Sequence, residues 1–299
     1  MKPEITNTTG LPEAVFESLV HDDYTRGNSD WSVTQLIDAP QIRLLRRKHG
    51  YTQDASEMAW MVLGKAVHLW FETHTRPDGT AVAEKRLHAD VNGWNISGAI
   101  DIQDFLDEGV LLTDYKCTSV WSVIYGKIEW ERQLNCYAWL VEQNNNEVVS
   151  KLQICAILRD WNRRDKNKVD YPSAPIVVVD VRLWSAEARE EYIRERVAAH
   201  QDAEFAFLSS DELPECSDEE RWLKPSKYAV KKKGNKRALK LYDNEDDAQA
   251  HAEQDKMLIV EHRRGAPTRC IEDYCNVSAH CPQYKKWLEE NNEDVGGVS

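Results

Sequence analysis

Apolar positions recur along this chain with changing period, and the changes mark its elements. From Ala55 to Thr73 the residues Met58, Met61, Val62, Ala66, Leu69 and Trp70 fall at helical spacing, which predicts one strong amphipathic helix. The period then shortens. Val82 to Val91 and Trp94 to Phe105 read as two strands around Asn92-Gly93, a dipeptide that supplies the positive φ angles of a two-residue hairpin turn. Asp107-Glu-Gly109 marks the next turn, and Val110 to Lys116 a third strand whose apolar start predicts burial. A long helix is predicted over residues 121–143 and strands over 152–159 and 176–183, followed by a charged helix from a Ser185 cap to about Ala203. Upstream, Ser32 caps a stretch in which Leu36, Ile37, Leu44 and Leu45 recur at near-helical spacing, whereas residues 1–30 are polar with helical potential only around 12–21. The pattern as a whole predicts an α/β fold with a mixed central sheet flanked by helices.

After Pro214 the character of the chain changes. Tyr228 to Lys233 and Lys236 to Tyr242, joined by Gly234-Asn235, predict a strongly basic hairpin. Residues 244–255 follow as a short acidic helix and 257–262 as a last strand, which makes a small β-β-α-β lobe. The expected organisation is an N-terminal extension (1–30), a core (31–212), a lobe carrying the basic hairpin and cysteines (213–290) and a disordered tail (291–299).

Composition alters this picture little. In 299 residues, 41% hydrophobic and 30% charged are ordinary for a soluble globular protein. No apolar run approaches the roughly 20 residues that span a bilayer, and the first residues have no apolar signal core, so an intracellular, cytoplasmic protein without a membrane partner is expected. Seven cysteines, odd in number and unevenly placed, argue against a secreted disulfide framework. Charge matters more locally than globally. A net charge of −13 argues against a protein that coats nucleic acid, yet the eight Lys and Arg residues between Lys224 and Lys240 are interrupted by no acid. Lys231, Lys232, Lys233, Lys236 and Arg237 are therefore candidate phosphate contacts, with Trp222 and Tyr228 nearby for stacking on exposed bases.

The candidate chemistry lies between Gly64 and Tyr137, where five short signals follow one another: Gly64-x-x-x-His68-x-x-x-Glu72, Glu84, Gly98-Ala-Ile-Asp101, Asp114-Tyr-Lys116 and Gln133-x-x-x-Tyr137. Phosphodiester hydrolysis needs an in-line water, neutralisation of the non-bridging oxygens and help for the leaving oxygen. Asp101 and Asp114 offer hard oxygen ligands for Mg²⁺ or Mn²⁺. Lys116, two residues beyond Asp114, projects to the same strand face and can position the attacking water or balance developing charge. His68 can reach the same ion from its helix, and Glu84 can add a ligand or a hydrogen bond to a coordinated water.

This order of motifs resembles the RecB-like branch of the PD-(D/E)XK nuclease superfamily, which includes phage-type recombination exonucleases and CRISPR-adaptation nucleases, over roughly residues 30–185. The resemblance implies a restriction-endonuclease-like core and a metal-dependent DNA nuclease, foremost an exonuclease of recombination, repair or phage DNA metabolism. A structure-specific or single-strand endonuclease, and a nuclease-fold binding or inhibitory protein with a vestigial site, are the alternatives. It further implies His68, Asp101, Asp114 and the Tyr115 carbonyl as metal ligands, Lys116 as catalytic, and Gln133 and Tyr137 as helix residues that brace the site and approach DNA. DNA is the implied partner; a recombination or single-strand-annealing partner protein and homo-oligomer formation stay open. Many relatives of this type hold an iron–sulfur cluster with one cysteine before the core and three after it. Cys270, Cys275 and Cys281 match the rear three, but the forward position near Asp38-Ala-Pro40 has no cysteine. Cys216, His262 or His280 can substitute. Four sulfurs suit a 4Fe–4S cluster or Zn²⁺, three sulfurs and a histidine suit Zn²⁺ better, and unliganded packing is the alternative. Cys117, Cys136 and Cys155 are most simply small apolar fillers.

Overall fold

The computed structural model describes residues 3–21, 27–75, 78–145 and 147–292. Of the tail expected to be disordered, residues 293–299 lie outside the described residues, and Asn291 and Asn292 end the helix Pro282–Asn292. The chain divides into two compact units, one from the described residues of Lys2–Asp38 and Thr52–Glu212, the other from Ala39–Tyr51 and the described residues of Leu213–Ser299. A core running continuously from residue 31 to 212 does not anticipate that the helix Pro40–His49 joins the C-terminal unit. There its buried Ile42 and Leu45 pack with Cys275, Val277 and Cys281.

The first unit is built on a mixed six-stranded sheet: β1 (Trp31–Ser32), β2 (Ala81–Val91), β3 (Trp94–Leu106), β4 (Gly109–Thr118), β5 (Val149–Leu158) and β6 (Ile176–Val181). Strand β3 is its hub. It pairs antiparallel with β2 along nearly its whole length, antiparallel with β4 from Ile102 to Leu106, and parallel with β1 at Ile96 and Ser97. β4 and β5 are parallel, β5 and β6 antiparallel. The β2–β3 turn is the predicted Asn92-Gly93, with φ of 48° and 81°. Flanking helices are α1 (Ala59–Thr73), α2 (Val120–Tyr125), α3 (Ile128–Asn145) and α4 (Ala186–Ser210). The single helix expected over 121–143 is broken at Gly126, whose φ of 70° is left-handed and ends α2 before α3 begins. The core joins Ile96, Ile100, Val110, Leu112, Leu152 and Ile154 of the sheet to Leu134 and Leu140 of α3 and to Ile193 and Val197 of α4. Gly98 lets α3 come close, since a Cβ there would lie 2.7 Å from Tyr137 and 2.8 Å from Leu140.

In the second unit, β7 (Lys227–Lys232) pairs antiparallel with both β8 (Lys240–Tyr242) and β9 (Leu258–Arg263), and the helix Glu245–Ala252 lies between the last two in sequence. This is the expected β-β-α-β arrangement, with Gly234 at a φ of 87° in the basic turn. Among the described residues no helix is long and apolar enough to cross a membrane.

Candidate metal centre

Strand register puts three carboxylates side by side. The pairs Ala83–Ile102 and Lys85–Ile100 bracket Glu84 opposite Asp101, and one step beyond the Ile102–Thr113 pair Asp101 meets Asp114. Glu84 has a φ of 49°, a left-handed conformation that a glutamate rarely adopts and that marks a local irregularity in β2. The β3–β4 ladder stops at this level, where the Tyr115 N–H donates to the Asp101 carboxylate at 2.6 Å instead of to a strand carbonyl. The two strands part here, and an open cleft of about 550 Å³ occupies the gap.

His68 enters this row from α1. Its Nδ1 lies 3.2 Å from a Glu84 oxygen and 3.5 Å from an Asp101 oxygen, and its Nε2 donates to the Tyr115 carbonyl at 3.2 Å. With acceptors at both nitrogens the ring is held as a cation, and its pKa is raised to about 8, chiefly by the bond to Glu84. Asp101 is raised to about 7, first by burial and then by the neighbouring Asp114 charge. Lys116 reaches back to Asp114 at 2.7 Å; burial opposes its charge, but Asp114's charge and hydrogen bond leave it more basic than usual. Burial pushes the Tyr115 phenol up to about 12, so it stays neutral. His68, Glu84 and Asp101 form the one group of three or more His, Cys, Asp or Glu residues among the described residues whose ligand atoms all lie within 4.8 Å of one another. Three carboxylates face one lysine and one imidazolium. Protons retained on two of these groups mark where positive charge is short, and a hard divalent cation fits that donor set.

Gly64, Glu72, Gln133 and Tyr137 line the same cleft, so all five sequence signals converge on it. Gln133 Nε2 donates to the Tyr137 hydroxyl at 2.8 Å, one helical turn apart on α3. Sequence reasoning missed Arg86 and Ser97, which wall the cleft beyond the carboxylates, with Arg86 Nη1 donating to Ser97 Oγ at 3.2 Å. The signal available was the two-residue step from Glu84 to Arg86 along one strand face.

In the second unit Cys216, Cys270, Cys275 and Cys281 line one small pocket with Gln41, and neither His262 nor His280 is part of its wall. The thiols of Cys216 and Cys281 both donate to Gln41 Oε1, at 3.2 and 3.3 Å. Burial and the neighbouring sulfurs raise the Cys216 and Cys270 pKa values, the latter to about 11. Ala39, at the position where the resemblance expects a cysteine, is buried beside them. His262 stacks on Tyr228 and His280 on His49.

The basic hairpin is partly neutralised. Lys231 pairs with Glu261 and Lys227 with Asp243, while Lys232, Lys233, Lys236 and Arg237 are exposed and have no acidic partner among the described residues. Trp222 packs against Tyr274 and Arg269.

No family model and no curated protein matches the chain. Among solved structures it is similar to SSO0001, with 17% identity and a TM-score of 0.40 over 62% of this chain and 81% of that one. It is also similar to a phage-related exonuclease from Haemophilus somnus 129PT, with 16% identity and a TM-score of 0.35 over 57% and 82%. Likeness this partial carries no functional argument; the residues of the cleft do.

Proposed function

We propose that the protein is a divalent-metal-dependent DNA nuclease of the RecB-like kind, acting as an exonuclease. The observation that carries this reading is the row Glu84, Asp101 and Asp114 across three adjacent strands, closed by His68 at one end and Lys116 at the other, in an open cleft. His68, Glu84, Asp101 and Asp114, with the Tyr115 carbonyl, would hold Mg²⁺ or Mn²⁺, which when bound supplies Lewis acidity toward the phosphoryl group and lowers the pKa of water. Asp114 keeps Lys116 charged and aimed into the cleft. Lys116 orients the attacking water and offsets negative charge as the phosphorane-like state forms. His68 fixes the Tyr115 carbonyl and the Glu84 and Asp101 carboxylates relative to one another. Gln133 and Tyr137 brace the cleft wall where the strand enters. Arg86 lies where it can contact a neighbouring phosphate.

Two outlying features join this reading as proposals. The four cysteines hold a 4Fe–4S cluster or Zn²⁺, with Cys216 in place of a forward cysteine. The exposed cations of the basic hairpin hold phosphate. Neutralising Lys232, Lys233, Lys236 and Arg237 should flatten the salt dependence of DNA binding by up to about three in slope, with little effect on the rate at saturating DNA.

The test is degradation of end-labelled linear, circular and single-stranded DNA with Mg²⁺, Mn²⁺ or chelator. Metal-dependent loss of linear DNA with circles left intact supports the exonuclease; nicking of circles would replace it with the endonuclease, and tight binding without cleavage in any metal would contradict the enzymatic reading.

A further inference from the structure

Helix α1 departs from the rule that an apolar helix buries a face. None of its residues is buried, although Met61, Val62, Leu63, Leu69 and Trp70 lie along it, and Trp60 at its start is 56% exposed. Its polar face is accounted for by the cleft. Trp60 has a different setting: the Arg159 guanidinium lies over its ring, 4.3 Å from the centroid. Arg159 follows β5, and its N–H donates to the Thr118 carbonyl at 3.0 Å, two residues beyond Lys116. Thr118 leads directly into α2, where Trp121 and Tyr125 are 57% and 79% exposed with their rings stacked 5.9 Å apart at 15°. Solvent-facing aromatic surface therefore gathers where β4 leaves the cleft. Tyr125 also walls a second groove of about 310 Å³ in which Lys127 and Arg182 are matched by Glu131 and Asp180.

We propose that Trp60 with Arg159, and Trp121 with Tyr125, form a stacking platform for the unpaired bases of a single DNA strand whose backbone passes Lys116. The proposal rests on the nuclease reading and names its substrate: a single strand, or the frayed end of a duplex. In a duplex each base face is covered by its neighbours, so only an unpaired strand has π-faces to offer these rings. Stacking is indifferent to sequence, as an enzyme that degrades DNA requires. The Arg159 guanidinium over the Trp60 ring favours a strand over a second copy of the chain, because it sets a cation for a phosphate beside a π-face for a base.

The experiment is fluorescence anisotropy of labelled oligothymidylate, and of a labelled blunt duplex, titrated with the full chain in chelator. Trp60→Ala and Trp121→Ala should each weaken oligothymidylate binding about fivefold or more, and together by more than either alone, while duplex affinity moves less than twofold. Trp60→Phe should restore most of the loss, because it keeps a π-face. Unchanged oligothymidylate affinity in the double variant overturns the proposal, as does an equal loss for both probes. A double variant that dissociates a dimer seen by light scattering, with oligothymidylate affinity intact, overturns it in favour of self-association. Each result is independent of cleavage: a wild-type protein that binds oligothymidylate through these tryptophans yet cleaves nothing in Mg²⁺ or Mn²⁺ keeps the platform and removes the nuclease.

Discussion

The carboxylate cleft and the cysteine pocket both gather ionisable side chains, and they do so under opposite conditions. In the cleft, Glu84, Asp101 and Asp114 crowd together beside open space, with His68 and Lys116 as the cations in contact with them. Burial and mutual repulsion leave Asp101 holding its proton up to about 7. In the cysteine pocket four sulfurs gather instead, and the thiols of Cys216 and Cys281 donate to the side-chain oxygen of Gln41. Crowded carboxylates beside open space fit the proposed catalytic role, and thiols already bonded within the fold fit a structural one.

Breaking the cleft should have the largest effect. Lys116→Ala and Asp114→Asn should each lower cleavage at least about 10³-fold. Asp101→Asn should do the same while leaving the metal-free protein as stable as the parent or more so at pH 8, because it removes a charge that the fold disfavours. Thermal melts in chelator, run beside the cleavage assay, separate this from simple unfolding. A parallel fall in melting temperature and activity would make these residues structural.

The cleft's proton affinity gives the next largest effect. His68 and Asp101 have folded-state pKa values raised to about 8 and about 7, so an entering cation must displace protons from both. Mn²⁺ affinity, read by calorimetry, should rise by about tenfold per pH unit per displaced proton as the pH climbs toward 7 and 8. The metal-free fold should move the other way. Both groups bind protons more tightly folded than unfolded, so their contribution to stability is present at low pH and is lost as pH rises from 3.8 to about 7 for Asp101 and from 6.5 to about 8 for His68. A pH-independent Mn²⁺ affinity would place the ion elsewhere.

The cysteine pocket should respond in stability and not in chemistry. Cys275→Ser or Cys281→Ser should abolish bound iron or zinc in anaerobically purified protein and lower the melting temperature by several degrees, at about 2–4 °C per kcal/mol lost. Elemental analysis checks the first and calorimetry the second. Metal-free wild-type protein, or variants as stable as the parent, would reduce the pocket to ordinary packing.

How far the chain could be read in advance follows from the range of the interactions involved. The Asn92-Gly93 turn and the strands around it were legible because their geometry is local. The residues of the cleft were legible because Asp101, Asp114 and Lys116 stand at fixed steps on strands and His68 and Glu72 one turn apart on a helix. The place of Glu84 in the tightest group was not, since it depends on the β2–β3 register and on an irregular φ at Glu84 itself. Nor was the membership of Pro40–His49, whose apolar face is satisfied by residues more than two hundred positions away. That no residue of the apolar stripe of α1 is buried was not legible either, because periodicity records that a face is apolar and not what covers it.

On the proposed reading the row of carboxylates is a metal centre that hydrolyses DNA. Its most direct measurement is the release of nucleotides from end-labelled linear DNA by the wild-type protein and by Glu84→Gln and Lys116→Ala, each with Mn²⁺ and with chelator. Release is expected from the wild type only with metal, with a strong loss in Glu84→Gln and none detectable in Lys116→Ala. Release that persists in chelator, or that survives undiminished in Lys116→Ala, would contradict it.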